Sequence, residues 1–202
     1  LNQRGREGGI GMVEAHNVLI AAAPHHPDYE GQSLAQLSLR FALEPEAAAQ
    51  KIVDEEGNGA VVVIEMMDEA DVRTVMRHPT TMIGSDGIFA GGKPHPRLYG
   101  TFARVLGRYS RDGGLFSLAE AVHRMTGMPA AKFKLNGRGT IAIGAYADLV
   151  LFDPATIIDT ATYEAPQQYP VGIRAVFVNG IAVIRDGRHH GARPGMALRR
   201  PA

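Results

Sequence analysis

The run Ala60-Val61-Val62-Val63-Ile64 constrains the fold of this chain more than any other stretch. Four successive β-branched residues disfavour helix and read as a strand buried on both faces, the habit of parallel sheets. A second apolar run, Val18-Leu19-Ile20-Ala21-Ala22, comes earlier and closes at Pro24-His25-His26-Pro27, where two prolines force a loop. Helical signals fill the interval. Ser33 caps a helix through Leu43, and Pro45 opens another that carries Ile52 and Val53 to Glu56 before Gly57-Asn58-Gly59 breaks it. Asp68 and Asp71 start a helix ending near Arg77, His78 and Pro79, and Thr81-Met82-Ile83-Gly84 reads as the next strand. This alternation argues for parallel βα units and an α/β class, with too few units for a closed barrel.

Past a loop from Ser85 to Gly100 the texture changes. Phe102 to Arg111 and Ser117 to Thr126 read as helices, the second opened by Ser117 and Glu120 as a capping box, and a short third helix starts near Pro129. From Gly139 onward come short β runs, at Thr140-Ile141-Ala142-Ile143, at Ala147 to Phe152 and at Ala175 to Ile184. The last holds Asn179-Gly180 between two apolar runs, a strong hairpin signal. Two parts are therefore expected, 1–138 as the last βα units of a partial TIM-type barrel and 139–202 as a small β-sandwich portion.

Composition narrows the function classes. Across 202 residues, 45% of them hydrophobic, Lys plus Arg and Asp plus Glu both number 21. There is no basic excess to draw the chain onto nucleic acid or an anionic membrane. Cysteine is absent, which removes disulfides and thiolate metal ligands and fits a cytoplasmic protein. No apolar stretch reaches the roughly 18 residues of a membrane span. Leu1 is not an initiator Met, and Leu1 to Gly11 has no apolar signal-peptide core, so the start reads as a cut through a larger protein.

The chemistry is expected between Ser85 and Arg97. Asp86, between a serine and a glycine at the end of the Thr81–Gly84 run, would stand at the C-terminal end of a barrel strand, the face where such barrels build active sites. Ser-Asp-Gly is equally ordinary turn chemistry. Pro94-His95-Pro96-Arg97 follows as a second polar cluster, in which a guanidinium suits an anion and a surface ion pair is the alternative. His95 either lines the cleft or orders the loop. Gly91-Gly92 suits a mobile lid or a plain flexible loop. His25 and His26, adjacent in sequence, are expected to order their loop rather than bind one ion.

These residues carry a resemblance. Gly84-Ser85-Asp86-Gly87, His95-Pro96-Arg97-Leu98-Tyr99-Gly100-Thr101-Phe102 and Arg104-Val105-Leu106 resemble the catalytic-loop region of D-aminoacylases, the N-acyl-D-amino-acid deacylases of the amidohydrolase superfamily. Arg138-Gly139-Thr140-Ile141, Gly144-Ala145-Tyr146-Ala147-Asp148-Leu149-Val150, Val178-Asn179-Gly180 and Gly191-Ala192-Arg193-Pro194-Gly195 are similar to the segment by which such enzymes pass from barrel to β-sandwich.

The resemblance implies a zinc-dependent hydrolase that cleaves the amide of an N-acyl-D-amino acid to a carboxylate and a free D-amino acid. Zinc would make hydroxide available near neutral pH and polarise the carbonyl. Asp86 would move the proton from water to the leaving nitrogen, and Arg97, with His95 beside it, would bind the substrate's α-carboxylate. It also implies that the family's His-x-His, metal-binding Cys and further histidines lie upstream of Leu1. Asp86 is then the metal contact expected here, and the missing N-terminal part of the same enzyme the expected partner, with an isolated fragment inactive. A cyclic-amide hydrolase similar to dihydroorotases or hydantoinases is the rival within the superfamily. A non-catalytic fragment that self-associates through uncovered strand edges, as a homo-oligomer, is the rival outside it.

Overall fold

The two apolar runs pair, but in opposite directions. The computed structural model describes residues 9–10 and 13–199. After a short antiparallel ladder of β1 (Gly9–Ile10) and β2 (Val13–Glu14), β3 (Val18–Ala22) lies antiparallel to β4 (Val61–Ile64), with Val18 opposite Ile64 and Ile20 opposite Val62. This corrects the parallel βα unit expected here. A β-branched run specifies a strand and not its direction, which is set by how the intervening chain returns. That chain folds into α1 (Leu34–Phe41) and α2 (Pro45–Glu56). Ser33 caps α1 as expected, its hydroxyl accepting from Gln36 N at 3.2 Å while Gln36 Oε1 accepts from Ser33 N at 2.8 Å. Leu34, Leu37, Ala48 and Ile52 then pack with Ile20 of β3 in one core, none of them more than 3% exposed. β4 is not buried on both faces: Val63 is buried, whereas Val62 and Ile64 are 43% and 42% exposed. A two-stranded sheet covered by helices has only one inner face.

The Pro24–Pro27 loop is gathered onto the last residue of α2. The Glu56 side chain is enclosed, accepting from His25 N at 3.0 Å and lying 2.7 Å from His26 Nδ1. The two histidines thus order their loop through a carboxylate. Burial works to raise the Glu56 carboxyl. Hydrogen bonds from the His25 backbone and the His26 ring, with the charge of His25, outweigh it and hold the group below the ordinary glutamate value.

The described residues group into two compact units. One takes the chain up to Glu69, Asp86–Tyr99 and Ala161–Gln168; the other takes Ala70–Ser85, Gly100–Thr160 and the chain from Tyr169 on. In the second, α3 (Glu69–Arg77) leads into 78–85, which is not the expected strand. One arginine holds it instead: Arg124 Nη1 donates to Met76 O, His78 O and Thr81 O at 2.9, 2.7 and 3.1 Å, and Arg124 O accepts from Ile83 N at 3.1 Å. No neighbouring strand competes for those groups among the described residues. α4 (Arg97–Arg104) runs on into a π-helix (Val105–Asp112), followed by α5 (Leu118–Met125), capped by Ser117, and α6 (Gly127–Phe133). Leu106, Tyr109, Phe116, Ala121 and Ile157 form the core of this unit. No helix among the described residues is long and apolar enough to cross a membrane.

The β-rich end forms an antiparallel sheet in the order β5 (Leu149–Phe152), β6 (Ile173–Val178), β7 (Ile181–Arg185), β8 (Arg188–His189). The hairpin read from Asn179-Gly180 is present, with both residues at positive φ, 48° and 80°, as a type I′ turn requires. Thr140–Ile143 is not a strand; Ile141 and Ile143 stand fully exposed, paired with no strand among the described residues. Instead the neighbouring segments meet at Asp148, which accepts from Asn179 N at 2.8 Å and pairs with Arg138. Arg138 also donates to Asn179 Oδ1 at 2.7 Å and lies 4.1 Å from the centre of the Tyr146 ring, while Asn179 Nδ2 donates to Pro194 O at 2.7 Å. The Asn179 amide is the largest influence holding the Asp148 carboxyl below its ordinary value, and Arg138 adds to it against burial.

Two outcomes follow. Asp148→Asn loses charge-assisted hydrogen bonds and lowers unfolding stability by about 2 kcal/mol, read by urea denaturation. Glu56→Gln lowers the melting temperature by several degrees at pH 7. Because the folded value of Glu56 is depressed, its contribution is complete above the ordinary glutamate value of about 4.3 and drains away as pH falls through the folded value. The wild-type advantage therefore shrinks toward zero in acid, and an advantage that persists there would refute the assignment.

Candidate active site

Residues 86–97 form a loop that closes on itself. Asp86 adopts φ of 47°, a left-handed conformation that aspartate tolerates better than most side chains. It therefore stands in a turn and not at the end of a strand, as its sequence context suggested. Arg97 closes that turn: its Nε donates to Asp86 O at 2.9 Å and its Nη2 lies 2.8 Å from Asp86 Oδ2. His95 joins them, its Nδ1 accepting from Arg97 N at 3.0 Å while its carbonyl accepts from Leu98 N at 3.0 Å as α4 begins. All three residues singled out in the sequence are thus brought together.

Arg97 and His95 line a cavity of about 260 Å³ whose apolar wall is Val61–Ile64 with Ala21 and Ile88. Asp86 does not line it, and its side chain is 76% exposed beside Arg97. The arrangement pairs a cation with an apolar wall, the lining that suits a small organic anion.

The rest of the loop is tied down. Gly91, at φ of 55°, lies so close to β3 that a Cβ would fall 2.3 Å from Ala21 O, and Lys93 N donates to that same oxygen at 3.2 Å. Glu30 bridges the loop to the end of β3, accepting from Ala23 N at 3.0 Å and Gly92 N at 2.8 Å. Close approach, rather than a lid, is what these glycines serve. The segment 161–168 holds the same loop: Lys93 Nζ donates to Glu164 O at 2.7 Å, Gln167 Nε2 to Gly92 O at 3.1 Å, and Tyr163 reaches the His95 ring. Glu30 and Tyr163 went unnoticed in the sequence, because neither sits in a motif and both act through distant pairing.

Among the described residues, no group of three or more His, Cys, Asp or Glu side chains gathers where a metal could be held. Catalytic zinc takes three protein ligands. Asp86 is a single carboxylate already paired to Arg97, so these residues by themselves do not fit a zinc site.

Known proteins share this architecture. Residues 9–184 match the amidohydrolase family, and the chain belongs to that family. It is 44% identical over 201 residues to D-aminoacylase of Alcaligenes xylosoxydans xylosoxydans, covering 96% of this chain and 40% of that enzyme. A solved D-aminoacylase, described by its binuclear metal center with one-metal activation and second-metal attenuation, superimposes with a TM-score of 0.81 at 44% identity, over 87% of this chain and 36% of the other. N-acyl-D-glutamate deacylase from Bordetella bronchiseptica, complexed with zinc and a phosphonate mimic of the tetrahedral intermediate, gives 0.78 at 39% identity, over 87% and 37%. The chain spans about two fifths of the length of the curated relative.

Gly91→Ala tests how the loop is seated. The left-handed backbone alone costs about 1–2 kcal/mol with a side chain present, and the approach to Ala21 adds to it. Denaturant unfolding is expected to show a loss at the upper end of that range or beyond, and a neutral substitution would contradict the seating.

Proposed function

We propose that this chain is the C-terminal part of a zinc-dependent amidohydrolase that cleaves N-acyl-D-amino acids to a carboxylate and a free D-amino acid. The observation that carries the reading is the Asp86–Arg97 pair beside an apolar cavity, in a chain 44% identical to a D-aminoacylase. Residues 1–138 would contribute to the barrel of the complete enzyme and 139–202 to its β-sandwich portion. The antiparallel pair β3–β4 stands outside any βα repeat.

In this reading Arg97 presents its guanidinium at the cavity and binds the substrate's α-carboxylate, while the apolar wall of β4 receives its uncharged parts. His95 borders the same space. Asp86, exposed and anchored by Arg97, takes a proton from the attacking water and returns it to the amide nitrogen as the C–N bond breaks. Zinc, with which the Bordetella deacylase is complexed, would supply a Lewis acid for the carbonyl. The donors it needs beyond Asp86 would come from outside the described residues.

The test uses the complete enzyme with N-acetyl-D-methionine as substrate. Asp86→Asn is expected to lower kcat by about 10²–10⁴-fold, the range of general acid–base catalysis. Arg97→Met is expected to raise KM. Turnover retained in Asp86→Asn would remove the proton-transfer role. Hydrolysis of dihydroorotate or hydantoin in preference to the open-chain amide would favour the cyclic-amide reading instead.

A further inference from the structure

His95 is held from both sides of its ring. A backbone N–H can only donate, so the bond from Arg97 N at 3.0 Å requires an unprotonated Nδ1. The single proton of the neutral ring then sits on Nε2, which lies 3.3 Å from Tyr163 Oη and donates to it. The two rings also meet edge to face, with centroids 5.3 Å apart at 74°. That tautomer is compatible with both of these contacts. A phenol hydroxyl can donate or accept, so the Arg97 N–H sets the tautomer; Tyr163 holds the ring in place, and Nδ1 then anchors the backbone of the residue whose guanidinium lies 2.8 Å from Asp86.

Tyr163 has support in doing so. It belongs to a segment fastened to the loop at Glu164 O by Lys93 and at Gly92 O by Gln167. Its ring is therefore fixed against His95 by three separate connections between 161–168 and 92–95. Arg97 lines the cavity together with His95, so a shift of the His95 ring moves the wall and the cation together.

We propose that Tyr163 is a positioning residue for substrate binding, holding the His95 ring so that its Nδ1 anchors the backbone of Arg97 and aims the guanidinium. The proposal rests on the reading of Arg97 as the group that binds the substrate carboxylate. Displacement of a bidentate cation weakens substrate binding without removing the proton-transferring group, so the effect is expected on KM rather than kcat.

The experiment combines kinetics of the complete enzyme on N-acetyl-D-methionine with ¹⁵N NMR of the His95 ring in the same protein. Tyr163→Phe keeps the ring contact and removes the hydroxyl. It is expected to raise KM about tenfold with kcat little changed, and to shift the Nε2 resonance of the His95 ring. His95→Asn, whose side-chain oxygen still accepts from an N–H two residues on, is expected to retain more of the substrate affinity than His95→Leu. Unchanged KM in both Tyr163→Phe and His95→Leu would overturn the proposal, as would equal damage from His95→Asn and His95→Leu. Arg97→Met separates the two claims. If it leaves KM unchanged, the carboxylate reading of Arg97 falls, and the His95 Nε2 resonance alone decides whether Tyr163 holds the ring: a shift in Tyr163→Phe upholds that role, and an unaltered signal overturns it.

Discussion

The guanidinium of Arg97 is the interaction on which the candidate site depends. Bound to both the carbonyl and the carboxylate of Asp86, it converts residues 86–97 from an open connection into a closed loop with two charged ends at one place. A left-handed aspartate is an uncommon conformation, and the two bonds from Arg97 help compensate for it. Everything else in that loop supports this closure. Gly91 allows it to lie on β3, Glu30 pins the next peptide, and 161–168 clasps it from a distant part of the chain. Rigid support of this kind is what a binding cation needs if its direction is to matter.

A different role falls to the motifs most recognisable in the sequence. Arg138, Asp148, Asn179 and Pro194 lie apart along the chain within the motifs that carry the family likeness, yet they converge on one hydrogen-bonded cluster around Asp148. Their work is structural: they fasten the Asn179-Gly180 hairpin to the segments before β5 and after β8. A signature can mark a fold as strongly as it marks chemistry. The residues with chemical potential, Asp86, His95 and Arg97, occupy a separate and shorter stretch.

Legibility divided along the same physical line. Ser33 with Gln36, Pro45 at the first turn of α2, Ser117 before α5 and Asn179-Gly180 in the hairpin were all readable, because caps and tight turns are decided by bonds within a few residues. The direction of β4 against β3 was not, since both directions bury the same valines. Thr81–Gly84 and Thr140–Ile143 have the composition of strands without being strands. A strand is a relation to a neighbour, and Arg124 takes the carbonyl of Thr81 while Ile141 and Ile143 stand exposed, paired with no strand among the described residues.

For the candidate site, the sequence alone determined the identity of the three polar groups and their confinement to twelve residues, because charge type and spacing are properties of the chain itself. It also carried the resemblance to a family of hydrolases, through short motifs that are legible residue by residue. Only the tertiary structure decided that Asp86 and Arg97 face each other and that Tyr163, from beyond residue 160, lies against the His95 ring. Those facts depend on which distant segments the packed chain brings within 3 or so ångströms, and no local pattern encodes a distance across the fold.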